Sequence, residues 1–280
     1  GPSRCGKSQA LDTVHSKYKS LETVDKSGRK IIPVLKVTMR SGGSKGGLAM
    51  AILEALGMDL FARGTASDKF NLAIRQLTLF QVRVLLIDEI QQMTDAGRSV
   101  SVRGAADVLK ELYERMQITI VFIGLPNASE LYKSNTQLAN RSEQRILFMP
   151  YDFSNENQFK EFLISTKGFY EMLEAQPHLI PINFRSFARA LYYLSAGRFG
   201  VVCNYMHNLN IVFKRSKDLR VTIEKLYEAA QMTAVDFDLI SNIFAREISD
   251  QEFSLRWQQV VRAENIESLV DVRGLLASHV

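Results

Sequence analysis

Apolar residues in the first half of the chain fall into short unbroken runs, separated by stretches with a helical rhythm. VRVLLIDEI (82–90) is the clearest run, and its continuity suits a parallel strand buried on both faces. ITIVFIGL (118–125), ended by Pro126, predicts a second buried strand, and IIPVLKVTM (31–39) a third. RILFMPY (145–151), stopped by Pro150, predicts a shorter fourth. Residues 8–24 place Ala10, Leu11, Val14, Tyr18 and Leu21 at helical spacing, and 48–58, 67–79 and 105–115 predict further helices. DKSGRK (25–30) predicts a turn and SGGSKGG (41–47) a glycine-rich loop. Strands alternating with helices predict an α/β fold with a doubly wound parallel sheet flanked by helices.

The pattern changes near Asp152. Strand signals fade, and amphipathic stretches follow at 155–164, 184–194, 201–213, 222–234 and 236–246. The expected organisation is an α/β domain over 1–150, a small helical domain over 151–250 and a C-terminal appendage over 251–280. The appendage carries the only tryptophan, Trp257, which either packs on its own helical domain or docks on a neighbour.

Composition narrows the function classes. The 280 residues are 46% hydrophobic and 23% charged, ordinary for a globular protein, and no apolar run approaches the ~20 residues that span a bilayer. Cys5 and Cys203 form no C-x-x-C pair, which argues against a disulfide framework or a cysteine-rich zinc site. His15, His178, His207 and His279 are scattered, with no metal-ligand spacing. The net charge of +5 is uneven: residues 1–150 hold 21 Lys/Arg against 14 Asp/Glu, and 151–280 hold 14 against 16. A basic first half points to a polyanion, with nucleic acid as the first candidate.

The same half carries GPSRCGKS (1–8), which fits the phosphate loop G-x-x-x-x-G-K-[ST]. Gly1 and Gly6 permit its tight backbone, and the N–H groups of Pro2–Ser3–Arg4–Cys5–Gly6 (proline excepted) turn toward the β-phosphate at a helix N-terminus. Lys7 bridges the β- and γ-phosphates, and Ser8 ligates Mg²⁺. Eighty residues on, a buried strand ends in Asp88 and Glu89. There Asp88 holds Mg²⁺ through water and Glu89 polarises the attacking water. The expected ligands are therefore ATP and Mg²⁺, and hydrolysis is favoured over a kinase reaction because no kinase motif set accompanies the pair. A phosphate loop hangs from the end of a strand, so a strand is expected to precede Gly1.

Four segments carry a resemblance: VLLIDEIQQM, VFIGLPNASELYKSNTQLANRSEQRILFMPYDF, LSAGRFGVVCNYM and VTIEKLYEAA. In this order they resemble the TniB/TnsC family of AAA+ P-loop ATPases, regulators of transposition in Tn-type and CRISPR-associated transposons. The resemblance covers roughly 1–235 and is most specific over 82–153. It implies a bacterial, cytoplasmic ATPase that oligomerises on double-stranded DNA as a ring or helix, with a helical lid domain. It also implies a link between a TniQ-type targeting protein and a TnsB-type transposase, with TnsA-type as a further partner, and no membrane partner.

Residue by residue, the resemblance places Arg141 of LANRSEQR at the arginine-finger position, with Arg145 as backup. Two positions depart from the family. Where many relatives carry a polar γ-phosphate sensor this chain has Leu125, with Asn127 as the nearest polar side chain. GRFG is followed by Val201 where some relatives have arginine, leaving Arg198 as the substitute. Both departures imply a slow, switch-like ATPase.

For DNA, MRSGGSKGG and FARGTASDKF offer Arg40, Ser44, Lys45, Arg63 and Thr65. Small residues let backbone amides approach phosphates while cations offset their charge. Arg63 leads because it matches a basic position in the family's DNA-contacting segment; Lys69, Arg98 and Arg103 are secondary. Lys214 and Arg215 read as a solvated helix end. Two other classes stay open: an initiator- or loader-type AAA+ ATPase of replication, and a DNA scaffold glued by nucleotide with little hydrolysis.

Overall fold

The computed structural model describes residues 1–40, 44–58, 64–94, 101–142, 146–175, 180–216, 220–234, 241–264 and 266. The chain divides into two compact units, one made of Gly1 and Lys7–Leu147, the other of Pro2–Gly6 and Phe148–Val280.

In the first unit, α1 (Lys7–Tyr18) ends in a 3-10 turn (Lys19–Leu21) and gives way to an antiparallel pair, β1 (Thr23–Val24) and β2 (Lys30–Ile31). The helix expected over 8–24 therefore stops at Tyr18. The cause is the turn at Asp25, whose carboxylate accepts the N–H of Ser27 at 2.8 Å and of Arg29 at 2.9 Å, offering the backbone an alternative to helix. The Ser27 hydroxyl, with the Arg29 and Ser27 N–H groups, holds that carboxyl below its ordinary pKa.

Three parallel strands follow: β3 (Val34–Thr38), β4 (Val84–Asp88) and β5 (Thr119–Phe122), in the order β3-β4-β5. Val34, Val84 and Thr119 align across the sheet. Between and after the strands lie α2 (Lys45–Ala55), α3 (Ala66–Leu79), α4 (Val102–Met116), α5 (Ser129–Ser134) and α6 (Thr136–Asn140). Alternation along the strands splits the core in two. Leu35, Val37, Leu85 and Ile87 join Leu48, Ile52, Phe70, Leu77, Leu109 and Leu112 in one cluster, while Val34 and Leu86 meet Leu11 of α1 in another. Each large side chain so buried contributes about 2 kcal/mol relative to exposure. Lys36, which alternates onto the α1 face, pairs with Asp12 of that helix.

The strand expected over 145–151 is not formed: 146–150 has no regular structure, and Ile146 is 83% exposed. Pro150 supplies no ladder donor, and among the described residues no strand pairs with the run.

Among its described residues the second unit is helical: α7 (Glu156–Glu174), α8 (Phe184–Ser195), α9 (Phe199–Ser216), α10 (Ile223–Thr233) and α11 (Asp250–Ala263). Its core is aromatic, with Phe162, Phe187, Tyr192, Tyr205, Phe244 and Phe253 buried together. Tyr192 meets Phe253, Phe162 and Phe159 edge-on at 4.9, 5.2 and 5.5 Å between centroids. Its hydroxyl donates to the Tyr151 carbonyl and accepts from the Phe153 N–H, so its polar tip is satisfied. Burial pushes that phenol well above its ordinary pKa. The helix expected over 236–246 does not form in its described part, 241–246. There the Asn242 side chain accepts the Phe244 N–H at 3.0 Å, and the resulting turn sends Phe244 into the core beside Tyr205. Trp257 of α11 is buried with Val261, Ile266 and Met149.

Candidate nucleotide site

The phosphate loop leads directly into a helix. Arg4 and Gly6 take positive φ (59° and 85°), and α1 starts at Lys7, which is buried, with Ser8 half-buried beside it. The first-turn N–H groups of a helix have no intrahelical acceptor, and its dipole favours anions at that end.

Within the second unit the loop is held from behind. The Gly200 N–H donates to the Arg4 carbonyl at 2.8 Å. A Cβ at Gly200 would lie 2.7 Å from that oxygen, so no other residue fits unless the backbone shifts. The Ser3 N–H donates to Glu264 at 3.2 Å, and the Ser3 hydroxyl donates to the same carboxylate. Arg198, 5% exposed, gives its Nε–H to the Ser195 carbonyl at 3.1 Å and faces Glu264 across 3.8 Å. The arginine singled out in GRFG therefore shares one carboxylate with the phosphate loop.

Within the first unit the acids sit where β4 ends. Asp88 is 3% exposed, and its carboxylate accepts the Glu89 N–H at 2.9 Å. Glu89 itself is left-handed, at φ 57° and ψ 38°, a conformation that costs a non-glycine residue about 1–2 kcal/mol. A 3-10 turn (Ile90–Met93) follows, and the Ile90 N–H donates to the Ile123 carbonyl at 3.0 Å, tying it to the end of β5. Gln91 lies beneath, 1% exposed; its amide nitrogen donates to the Glu89 carboxylate and its amide oxygen accepts the Leu125 N–H at 3.1 Å. The Gly1 nitrogen donates to the Gly124 carbonyl at 3.2 Å. All of this lies at the carboxyl ends of parallel strands, where open α/β sheets bind their ligands.

Other residues singled out from the sequence lie elsewhere in the units. Asn127 belongs to a 3-10 turn (Pro126–Ala128) after β5. Arg141 follows α6, pairs with Glu114 of α4 at 2.8 Å, lies over the Tyr113 ring and keeps its side chain 40% exposed. Arg40 is exposed and paired with Glu54. Ser44 caps α2, accepting the Gly47 N–H, and Lys45 pairs with Glu111 at 2.7 Å over the Phe70 ring. Thr65 caps α3 in a reciprocal box with Asp68, whose carboxyl is held below its ordinary pKa by the Thr65 N–H and hydroxyl. Lys69 is half-buried on α3, and Arg103 is exposed in the first turn of α4. Arg63, Arg98 and Arg145 lie outside the described residues.

Sequence reading missed Gln91, Gly124, Gly200 and Glu264. Gln91 stands two residues after Glu89 inside VLLIDEIQQM, and Gly200 closes GRFG, so both lay within segments already marked. Nothing near Glu264 signals its role. Among the described residues no three His, Cys, Asp or Glu side chains are grouped to hold a metal by themselves, and no helix is long and apolar enough to cross a membrane.

The family model described as "Bacterial TniB protein" matches residues 1–149. No curated protein matches the chain. Among solved structures, the Aeropyrum pernix ORC1 protein, in complex with DNA, is similar at 17% identity and a TM-score of 0.57, over 98% of this chain and 76% of that one. The Aeropyrum pernix ORC2 protein, in its ADPNP-ADP complexes, is similar at 11% identity and a TM-score of 0.56, over 89% of this chain; the chain spans 63% of that protein. Likeness at such identity is a likeness of fold, here the AAA+ fold of a parallel sheet flanked by helices with helices after it. With the family model covering more than half of its length, the chain belongs to the TniB family.

Proposed function

We propose that this chain is an ATP-dependent AAA+ regulator of DNA transposition. In this reading it oligomerises on double-stranded DNA and links a TniQ-type targeting protein to a TnsB-type transposase, with TnsA-type as a further partner. The observation that carries the reading is the phosphate loop running into α1 in a TniB-family chain whose β4 ends in buried Asp88 followed by Glu89.

The loop N–H groups and Lys7 bind the phosphates of ATP. The Ser8 hydroxyl and the Asp88 carboxylate are hard oxygen donors, too few for an all-protein cage but suited to Mg²⁺, which takes one or two protein ligands together with phosphates. Bound there, Mg²⁺ would offset the charge on the phosphate oxygens. Glu89 accepts a hydrogen bond from water and so turns the water oxygen's lone pair toward the γ-phosphate. The half-exposed Arg141 exchanges Glu114 for the γ-phosphate of a neighbouring subunit, a role its planar fork suits. Leu125 brings no polar side chain to the turn after β5, which supports slow, switch-like turnover.

Duplex DNA is met by backbone contacts, without sequence preference, through Arg40, Lys45, Lys69 and Arg103, with Ser44, Thr65 and Arg63 from the same stretch. The pairs of Arg40 with Glu54 and of Lys45 with Glu111 are partly solvated, and such pairs exchange for phosphate at small cost. The likeness to ORC proteins is one of fold and does not favour an initiator role over this one.

Electron microscopy of the chain with an ATP analogue and duplex DNA tests the proposal. Rings or filaments on the duplex are expected, and monomers alone under those conditions contradict it.

A further inference from the structure

We propose that Gln91 is a positioning residue for Glu89: its side-chain amide sets the direction of that carboxylate and ties it to the backbone beyond β5. The inference rests on the ATPase reading above and goes beyond it by naming what aims the base.

Gln91 is buried to 1% exposure, so its amide must find partners inside the protein. It has one at each end. The Leu125 N–H is only a donor, so the group facing it at 3.1 Å must be the amide oxygen. That fixes the amide's orientation, and the NH₂ is left pointing at the Glu89 carboxylate, which is only an acceptor when ionised. One neutral side chain thus bridges a carboxylate to a main-chain donor, with both hydrogen bonds of the correct polarity.

The surroundings are built around this bridge. Gly124 has a carbonyl that accepts from Gly1, and a Cβ there would stand 2.6 Å from the Gln91 amide oxygen and 2.8 Å from Ile90 Cγ2. A larger residue at 124 would push the amide out of this place. The left-handed backbone at Glu89 swings the chain so that positions 89 and 91 share one side of the turn, and the Thr94 hydroxyl donates to the Gln91 carbonyl at 2.7 Å. With one carboxylate oxygen engaged by Gln91, the other bonds to none of the described residues and can take a water proton in a defined direction. Leu125 has no polar side chain, and its backbone N–H reaches the base through Gln91. A shift of that turn moves Glu89 through Gln91.

The test is ATP turnover on duplex DNA by wild type, Gln91→Leu, Gln91→Glu, Glu89→Gln and the Gln91→Leu/Glu89→Gln double variant. ATP-analogue affinity and unfolding midpoint are measured for each. Gln91→Leu should lower kcat about ten-fold or more while KM and nucleotide affinity stay within about two-fold. Gln91→Glu keeps an acceptor for the Leu125 N–H but offers Glu89 no donor at about pH 8; its kcat should be as low there and rise relative to wild type toward about pH 5.5, because burial and the facing Glu89 carboxylate raise the introduced carboxyl's pKa so that it protonates and donates. In the Glu89→Gln background, Gln91→Leu should cost nothing more.

A wild-type kcat in Gln91→Leu, an equal loss of kcat and nucleotide affinity, or additive losses in the double variant would each overturn the inference. Should Gln91→Leu not fold, the pH profile of Gln91→Glu decides alone, and a flat ratio to wild type overturns the inference. Equal turnover by wild type and Glu89→Gln overturns the ATPase reading and this inference with it, whereas a clear difference there with a silent Gln91→Leu overturns this inference only.

Discussion

The turn after β4 and the stretch from Arg40 to Lys69 use polar side chains in opposite ways. At the turn they are linked: Asp88 and Gln91 are buried, Glu89 is half-buried between them, and the three form a chain of hydrogen bonds that ends on the backbone of β5's exit. Along 40–69 they are exposed or half-buried and engaged separately: Ser44 and Thr65 cap the helices they precede, and Arg40 and Lys45 each pair with a single acid. A buried network has one workable geometry, so removing a member leaves its partner unsatisfied. An exposed set tolerates exchange, because water or phosphate can replace any partner. The first arrangement suits chemistry on one bond, and the second suits contact with a repeating polyanion.

The largest effect should come from the turn. Glu89→Gln keeps its shape but not the base, and turnover should fall about 100-fold with nucleotide affinity little changed, measured by phosphate release and analogue binding. Equal turnover would reduce the buried network to structure. Next, Gly200→Ala drives a Cβ toward the Arg4 carbonyl and should weaken nucleotide binding about ten-fold by displacing the loop, checked by calorimetry. An unchanged affinity would show that the loop does not depend on that support.

On the exposed side the effects should be smaller and shared. Lys69→Ala and Arg103→Ala should each weaken duplex binding by a few-fold on every sequence, and reduce the slope of log affinity against log salt by about one. A sequence-selective loss would contradict phosphate contact.

The smallest effect belongs to the α3 cap. Thr65→Ala should lower the unfolding midpoint by roughly 2–4 °C at neutral pH. Asp68 has a depressed pKa in the folded protein, so its contribution is full above the unfolded value of 3.8 and is lost as pH falls through the lower folded value. The difference between Thr65→Ala and wild type should therefore shrink as pH drops below 3.8, followed by thermal unfolding across that range.

The three long strands were legible because each is an apolar run flanked by turn signals, and β4 announces its acids by ending in them. RILFMPY has a similar composition and forms no strand, since pairing needs a neighbour and a donor that Pro150 lacks. The end of α1 is hidden in the sequence because Leu21 and Val24 continue the helical spacing, whereas the Asp25 turn decides the backbone. Within the candidate site, Asp88, Glu89 and the loop are carried by local patterns. Gln91 is not, because its place depends on a left-handed Glu89 and on a glycine thirty-three residues away in β5's exit. Glu264 acts on Ser3 from the other end of the chain, a relation no spacing expresses.

The most direct test of the central claim, that the phosphate loop governs DNA engagement, is the binding of labelled duplex with and without an ATP analogue, by wild type and by Lys7→Ala. Wild type should bind the duplex tightly only with the analogue, and Lys7→Ala should bind weakly in both conditions. Tight binding by Lys7→Ala without nucleotide would contradict the claim.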